Sequence, residues 1–278
     1  MTPPRPVPDV LKELGASPGH KIHIVEGVED LAAYGKWLTR LAAPNIYTAT
    51  LTLVQAGGKK PVLQALRYFA ASGGEPRVFV LVDRDEWDAD TCTARRAELP
   101  QLRINEGRHA VESYFCDPDA VAAAVLAMHP GLDMQPLRDA LDAAREMYVR
   151  HWALLTTTDR IAGRMTEINY PGQFSSPTDP PPSDADIQAR FALWARTLDP
   201  AAAFAEFDAL RADALARPHA TQYRSCVWAF RFFDDVVVPA LNALPGVTAQ
   251  SGRDWMIDMA ELGPSVPTDV EAILRPLI

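Results

Sequence analysis

"RVFVLVDRD", residues 77–85, decides the architecture. The apolar run Val78 to Val82 ends on two aspartates separated by one residue. A continuous β-branched and aromatic run reads as a strand buried on both faces. Residues i and i+2 of an extended chain face the same side, so Asp83 and Asp85 point one way from its carboxyl end. Upstream, "KIHIV" (21–25) reads as a shorter strand that reaches Glu26 and Gly27, with Asp30 four residues beyond Glu26. Leu31, Tyr34, Leu38 and Leu41 stand at helical spacing and predict a helix over 29–41. "NIYTATLTLV" (45–54) alternates and predicts a strand, "QAGGKK" a glycine turn, and 61–71 a second helix. "LRINEGRHAVESYF" predicts a short strand near 102–104, then a turn, then a helix start near 110. Strands that alternate with helices imply an α/β fold with a mainly parallel sheet and right-handed crossovers.

After about residue 117 the texture becomes Ala- and Leu-rich. Helical spacing predicts helices over 117–128, 133–165, 184–197, 200–216 and 221–243. "YPGQFSSPTDPPPSDAD" (170–186) is a Pro/Ser-rich loop, and Thr268 with Glu271 stands at capping-box spacing ahead of a short last helix. The expected organisation is an N-terminal extension (1–20), an α/β core (21–116), a helical region (117–245) and a C-terminal segment returning to the core (246–278). The helical region is expected to pack on the core, because no flexible linker separates them near 117. Trp194, Trp228, Phe230 and Phe233 in that half read either as core residues at helical spacing or as a docking face for a partner.

The chain has 278 residues, 48% of them hydrophobic, enough for one large domain or two small ones. No apolar run is long enough to span a bilayer and no signal-peptide core opens the chain, so a cytoplasmic protein with no membrane association is expected. Cys92, Cys116 and Cys226 are widely spaced and form no CxxC pair, which fits a reducing compartment. The net charge of −9 argues against a nucleic-acid binder. Its distribution softens that argument: residues 1–85 carry a balance of +2, and the remainder carries −11.

Glu26, Asp30, Asp83 and Asp85 are the candidate site. Open α/β sheets bind ligands at the carboxyl ends of their strands. If the first and third strands are neighbours, these carboxylates share one pocket, and a divalent cation relieves their repulsion. Mg²⁺ prefers such oxygen ligands. Singly, each acid has a simpler reading. Asp30 equally suits the positive end of a helix, "DRD" can cap a loop, and Glu112 can be a first-turn acid on an amphipathic helix. The order and spacing of the set carry the reading.

Glu-Gly-x-x-Asp after one strand, followed by an apolar strand ending Asp-x-Asp, resembles a TOPRIM domain, the fold shared by DnaG-type primases, topoisomerases and OLD-family nucleases. "RHAVESYF" (108–115) resembles the Arg-x-x-(Ile/Val)-Glu-x-Tyr segment of the OLD and DUF4435 branch. "GGKKPVLQAL" resembles its Gly-Gly-Lys turn, and "SGRDWMIDM" its late Gly-Lys segment, with Arg253 where lysine is common. The likeness spans 21–116 and, more loosely, 247–278. No GxxxxGK[ST] motif occurs, and with so short a stretch ahead of Glu26 the ATPase that precedes TOPRIM in OLD proteins is not expected here. The chain is thus most similar to stand-alone DUF4435 proteins, which include the nuclease effector of the PARIS anti-phage system.

The resemblance implies a TOPRIM-type, Rossmann-like core and a metal-dependent nuclease using Mg²⁺ or Mn²⁺, with two ions. Glu26 would be a metal ligand or general base, Asp30, Asp83 and Asp85 would be metal ligands, and Glu112 would complete a second metal position. Two such ions can hold the attacking water and the leaving oxygen in line. Lys59, Lys60, Arg84, Arg108 and Arg253 would bind phosphate. Arginine and lysine differ in reach and hydration, so the role of Arg253 is open. His109 reads as a proton relay or as a surface or packing histidine. The implied partners are nucleic acid (RNA such as tRNA, or DNA) and a separate ABC-type ATPase, with a homodimer as a further expectation. The alternatives are a non-catalytic partner subunit that keeps the fold, or another TOPRIM phosphoryl-transfer activity.

Overall fold

The computed structural model describes residues 6–42, 51–84, 87, 89–105, 110–167 and 183–277. Among them, β1 (Lys21–Val25), β2 (Leu51–Gln55), β3 (Val78–Asp83) and β4 (Leu102–Asn105) form an all-parallel sheet in the order β2-β1-β3-β4. The α/β reading with neighbouring first and third strands is therefore correct. Residues 45–50 of the expected second strand, and residues 170–182 of the Pro/Ser-rich loop, lie outside the described residues.

One sheet face carries Ile22, Ile24, Val78, Val80, Val82, Leu102 and Ile104, all at most 2% exposed. They pack with Val7 and Val10 of α1 (Pro6–Ala16), with Val62, Leu66 and Phe69 of α3 (Lys59–Ala71), and with Cys92 of α4 (Ala89–Glu98). Burying each of these aliphatic side chains contributes about 1.5–3 kcal/mol. The opposite face lies under α2 (Val28–Leu41), whose Tyr34, Trp37 and Leu38 are at most 1% exposed. Trp37 stacks on Phe115 and meets Tyr114 edge-on, at ring-centroid distances of 5.7 and 5.2 Å.

Several local readings are corrected. Within the expected N-terminal extension, α1 buries Val7 and Val10 completely in the core, so residues 6–16 are part of that core. The helix α4 went unread because its stretch buries only Cys92 and shows no apolar stripe. The helix expected at about 110 is a short 3₁₀ turn, Val111–Phe115. Thr268 does not cap the last helix (Thr268–Leu274): Pro267 holds the N-cap position with no side-chain cap.

The expected helix over 221–243 is divided into α9 (His219–Ser225), α10 (Ala229–Phe232), a π turn (Phe233–Val237) and α11 (Val238–Asn242). Residues 226–233 are apolar at nearly every position, so periodicity could not mark the break. The π turn has a local cause: Pro239 lacks an N–H, and its ring strikes the carbonyl four residues back in a regular helix. Phe233 is 1% exposed and belongs to the core, whereas Phe230 is 50% exposed.

The chain divides into two compact units, and the division falls within the long helix α6 (Gln135–Glu167), after Arg145. The first unit holds the sheet, α1 to α5 (α5 is Pro118–Met128), residues to Arg145, Tyr223–Ser225 and Ala229–Ile278. The second comprises Glu146–Gln222 and Cys226–Trp228, with α7 (Asp184–Thr197) and α8 (Pro200–Ala216). Described residues between 117 and 245 form helices and turns. No helix among the described residues is long and apolar enough to cross a membrane. Cys92, Cys116 and Cys226 are buried and form no disulfide.

Candidate functional site at the carboxyl rim of the sheet

The strand order makes a crevice before any side chain is considered. After β1 the chain leaves to one sheet face as α2, and after β3 it leaves to the other face as α4. Neighbouring strands whose continuations part in this way open a cleft at their carboxyl ends, where doubly wound sheets bind ligands. Glu26 follows β1, and Asp83 ends β3.

Glu26 is held from three sides. Its Oε1 accepts the backbone N–H of Asp83 at 2.9 Å. Its carbonyl oxygen accepts the N–H groups of Gly57 and Gly58, at 2.8 and 2.7 Å. These glycines have φ of 80° and 122°, where side chains are strained, so the Gly-Gly turn brings the start of α3 against the end of β1. The third contact follows from that turn: Lys59, first residue of α3, places Nζ 4.0 Å from Glu26 Oε1. The same ammonium lies over the Trp87 ring, 4.5 Å from its centroid.

Asp83 is 7% exposed. Its Oδ2 accepts the Val111 N–H at 2.8 Å, and its Oδ1 accepts from Asn105 Nδ2 at 3.3 Å. Glu112 follows Val111 on the 3₁₀ turn, so that turn ties its own position to Asp83. Asp30 is 8% exposed and accepts the Gly27 N–H at 2.7 Å. This is the first-turn helix role that its spacing allowed, with the carboxylate at the positive end of α2. Tyr34 sits between these acids. Burial first, then the charges of Asp83, Tyr114 and Asp30, push its hydroxyl well above the usual tyrosine range, so it remains a neutral phenol.

Glu26, Asp30, Asp83 and Lys59 are thus gathered at one rim. Asp85, Arg108 and His109 lie outside the described residues. Arg84 turns back on its own loop, donating from Nε to the Trp87 carbonyl at 2.6 Å. Lys60 is exposed on the first turn of α3. Arg253 is exposed on the first turn of α12 (Gly252–Leu262). That helix runs beside α2 in the same direction: Lys36 pairs with Glu261 at 2.6 Å, and Arg40 donates to the Gly263 carbonyl at 2.7 Å. At the other end, Asp234 adjoins Gly252, and burial, Asp235 and then Glu29 raise its carboxyl above the usual range. Arg253 therefore sits toward the end of α2 that faces the crevice.

A donor set of carboxylate oxygens suits a hard cation such as Mg²⁺ or Mn²⁺. Each carboxylate has about four lone-pair directions, so the hydrogen bonds on Glu26 and Asp83 orient them without exhausting them. Among the described residues, no three His, Cys, Asp or Glu side chains converge into a metal-holding group. Asn105 and Trp87 carry no motif signal, although "LRIN" does end on a polar residue, as the third strand does; Tyr114 is the tyrosine of the "RHAVESYF" segment, to which the resemblance assigns no role. No protein-family model matches this chain, and no curated protein matches it.

Proposed function

We propose that this chain is a TOPRIM-type, metal-dependent phosphodiester hydrolase acting on nucleic acid, of the OLD/DUF4435 branch. One observation carries the reading: the Glu26 carboxylate accepts the Asp83 amide at the crevice between β1 and β3. Motif residues 57 positions apart thereby meet where an open sheet binds ligand. Glu26 and Asp83 would hold a divalent ion, with Asp85 and Glu112 as the further ligands the resemblance nominates. The bound ions would polarise the phosphate and activate water. Lys59 offsets the Glu26 charge and lies where it can meet a phosphate oxygen. Asp30 braces the start of α2. Arg84, donating to its own loop, braces the segment after β3 rather than reaching outward.

A second reading has its own support. Both Asp83 oxygens already accept hydrogen bonds, and no three acids among the described residues converge. A fold-retaining, non-catalytic partner subunit would look the same. The deciding experiment incubates the pure protein with labelled RNA, including tRNA, and labelled DNA, in Mg²⁺, Mn²⁺ or EDTA. Cleavage that requires the metal and is lost in Asp83→Asn and Glu26→Gln supports the nuclease. No cleavage of either nucleic acid, alone or with the product of an adjacent ATPase gene, supports the second reading. Stimulation by that product, with co-purification, supports control by an ABC-type ATPase in anti-phage defence.

A further inference from the structure

The fold buries an amide against one of the site's acids. Asn105 ends β4, is 0% exposed, and stands directly across from Asp83 in the sheet register. Its Nδ2 donates to Asp83 Oδ1 at 3.3 Å and to the Tyr34 hydroxyl at 3.2 Å. Its Oδ1 accepts from the Tyr114 hydroxyl at 2.8 Å. An ionised carboxylate only accepts, so Asp83 dictates which way round the amide sits, and Tyr114 completes that choice. On its other oxygen, Asp83 accepts the Val111 N–H at 2.8 Å. A single hydrogen bond lets a carboxylate turn about its Cβ–Cγ bond. Two bonds, to different oxygens and from different elements, define its plane.

We propose that Asn105 is a positioning residue: held by Tyr34 and Tyr114, it sets the plane of the Asp83 carboxylate at the β1/β3 crevice. It thereby sets the direction in which Asp83 offers its remaining lone pairs to a divalent cation. The cation half of this inference rests on the nuclease reading; the orientation half does not. Filling the end of β4 alone would favour an apolar residue, since a buried amide costs several kcal/mol unless fully paired. Here every polar atom of the side chain is paired, and both phenols are anchored on Trp37, with ring centroids 5.6 Å (Tyr34) and 5.2 Å (Tyr114) away. A saturated network of this kind specifies one arrangement.

The test compares Asn105→Leu, which keeps the volume, and Tyr114→Phe, which deletes one hydroxyl, with wild type. His23→Leu, a buried polar position on the same sheet outside the network, serves as control. Two quantities are read: the Asp83 side-chain conformation in metal-free crystal structures, and the dissociation constant for Mn²⁺ alone. Expected is a turned or doubled Asp83 conformer in Asn105→Leu, and an Mn²⁺ dissociation constant raised about 10- to 100-fold, as for lost outer-shell partners. Tyr114→Phe should give a smaller change of the same kind, and His23→Leu should move thermal stability only. If Asn105→Leu does not fold, Tyr114→Phe decides. An unmoved, single Asp83 conformer in the variants that fold overturns the proposal, whatever the metal data. A wild-type chain that binds no Mn²⁺, with Asp83 turned in Asn105→Leu, leaves Asn105 in its role and removes the nuclease reading instead.

Discussion

The peptide N–H of Asp83 donates to the Glu26 carboxylate at 2.9 Å, so one acid of the site is held by the backbone of another. Substitutions at the two positions therefore separate structure from chemistry. Glu26→Gln keeps an acceptor for that N–H and removes the charge. Glu26→Ala removes both and orphans a donor at the strand end, at a cost of about 1–3 kcal/mol. Urea denaturation should find Glu26→Ala the less stable variant, and both should lack cleavage. Equal stability of the two would show that the amide contact contributes nothing.

Asp83→Ala should destabilise the chain, although relief of repulsion among the site acids would predict the opposite. The Val111 amide and Asn105 both depend on the buried carboxylate. Leaving a buried donor unpaired costs about 1–3 kcal/mol, more than a partly screened repulsion returns. A melting temperature above that of wild type would refute this.

Lys59 sits between Glu26 and the Trp87 ring. Lys59→Met keeps the apolar stem and deletes the charge. If Lys59 stabilises charge on the phosphate, kcat should fall about 10²-fold, with little change in urea midpoint. Trp87→Ala should cost more than the roughly 0.5–1 kcal/mol of its cation–π contact, because the ring also packs against the apolar core, and a lowered urea midpoint would show it. A Lys59→Met enzyme with wild-type kcat would confine the lysine to neutralising Glu26.

His23 supplies the pH prediction. It is 1% exposed, neither ring nitrogen has a hydrogen-bond partner, and it stacks on Phe79 at 5.1 Å. Burial first, then Lys21 and Arg103, lower its pKa to about 3. The folded state thus resists a proton that the unfolded chain accepts near pH 6.5. The stability His23 permits is complete above that pH and is lost as pH falls toward 3. The slope approaches about 1.4 kcal/mol per pH unit. His23→Phe should flatten the wild-type decline between pH 6 and 4.5 in urea titrations. Parallel pH curves for the two proteins would contradict it.

Gly263 ends α12 with its carbonyl bound by Arg40 at 2.7 Å. A Cβ added there would stand 2.6 Å from the Met259 carbonyl oxygen, a backbone atom that cannot swing aside. Gly263→Ala should cost about 1–3 kcal/mol through this overlap, read as a lowered melting temperature.

The sheet's existence, and the nomination of Glu26, Asp30 and Asp83, were legible in the sequence because strand hydrophobicity and motif spacing are local properties. "VFVLVD" can be little but a buried strand, and a carboxylate at its end has to be accounted for. Other features were not local. The helix α4 carries too few apolar residues to show a period, and α1 is short, with its buried face shared among Pro6, Val7 and Val10. The break between α9 and α10 lies inside a run, residues 226–233, too apolar to show any period.

By itself, the sequence determined which segments bury, because side-chain type and period set hydrophobic burial along the chain. Only the tertiary structure decided what those segments meet. Strand order put β1 beside β3 and made Glu26 a neighbour of the Asp83 amide. The pairing of β3 with β4 then set Asn105 opposite Asp83, and packing on Trp37 brought Tyr34 and Tyr114 to the same amide. Hydrogen bonds between residues far apart in the chain depend on register and layer, which are consequences of the whole core and leave no mark on any one stretch of residues.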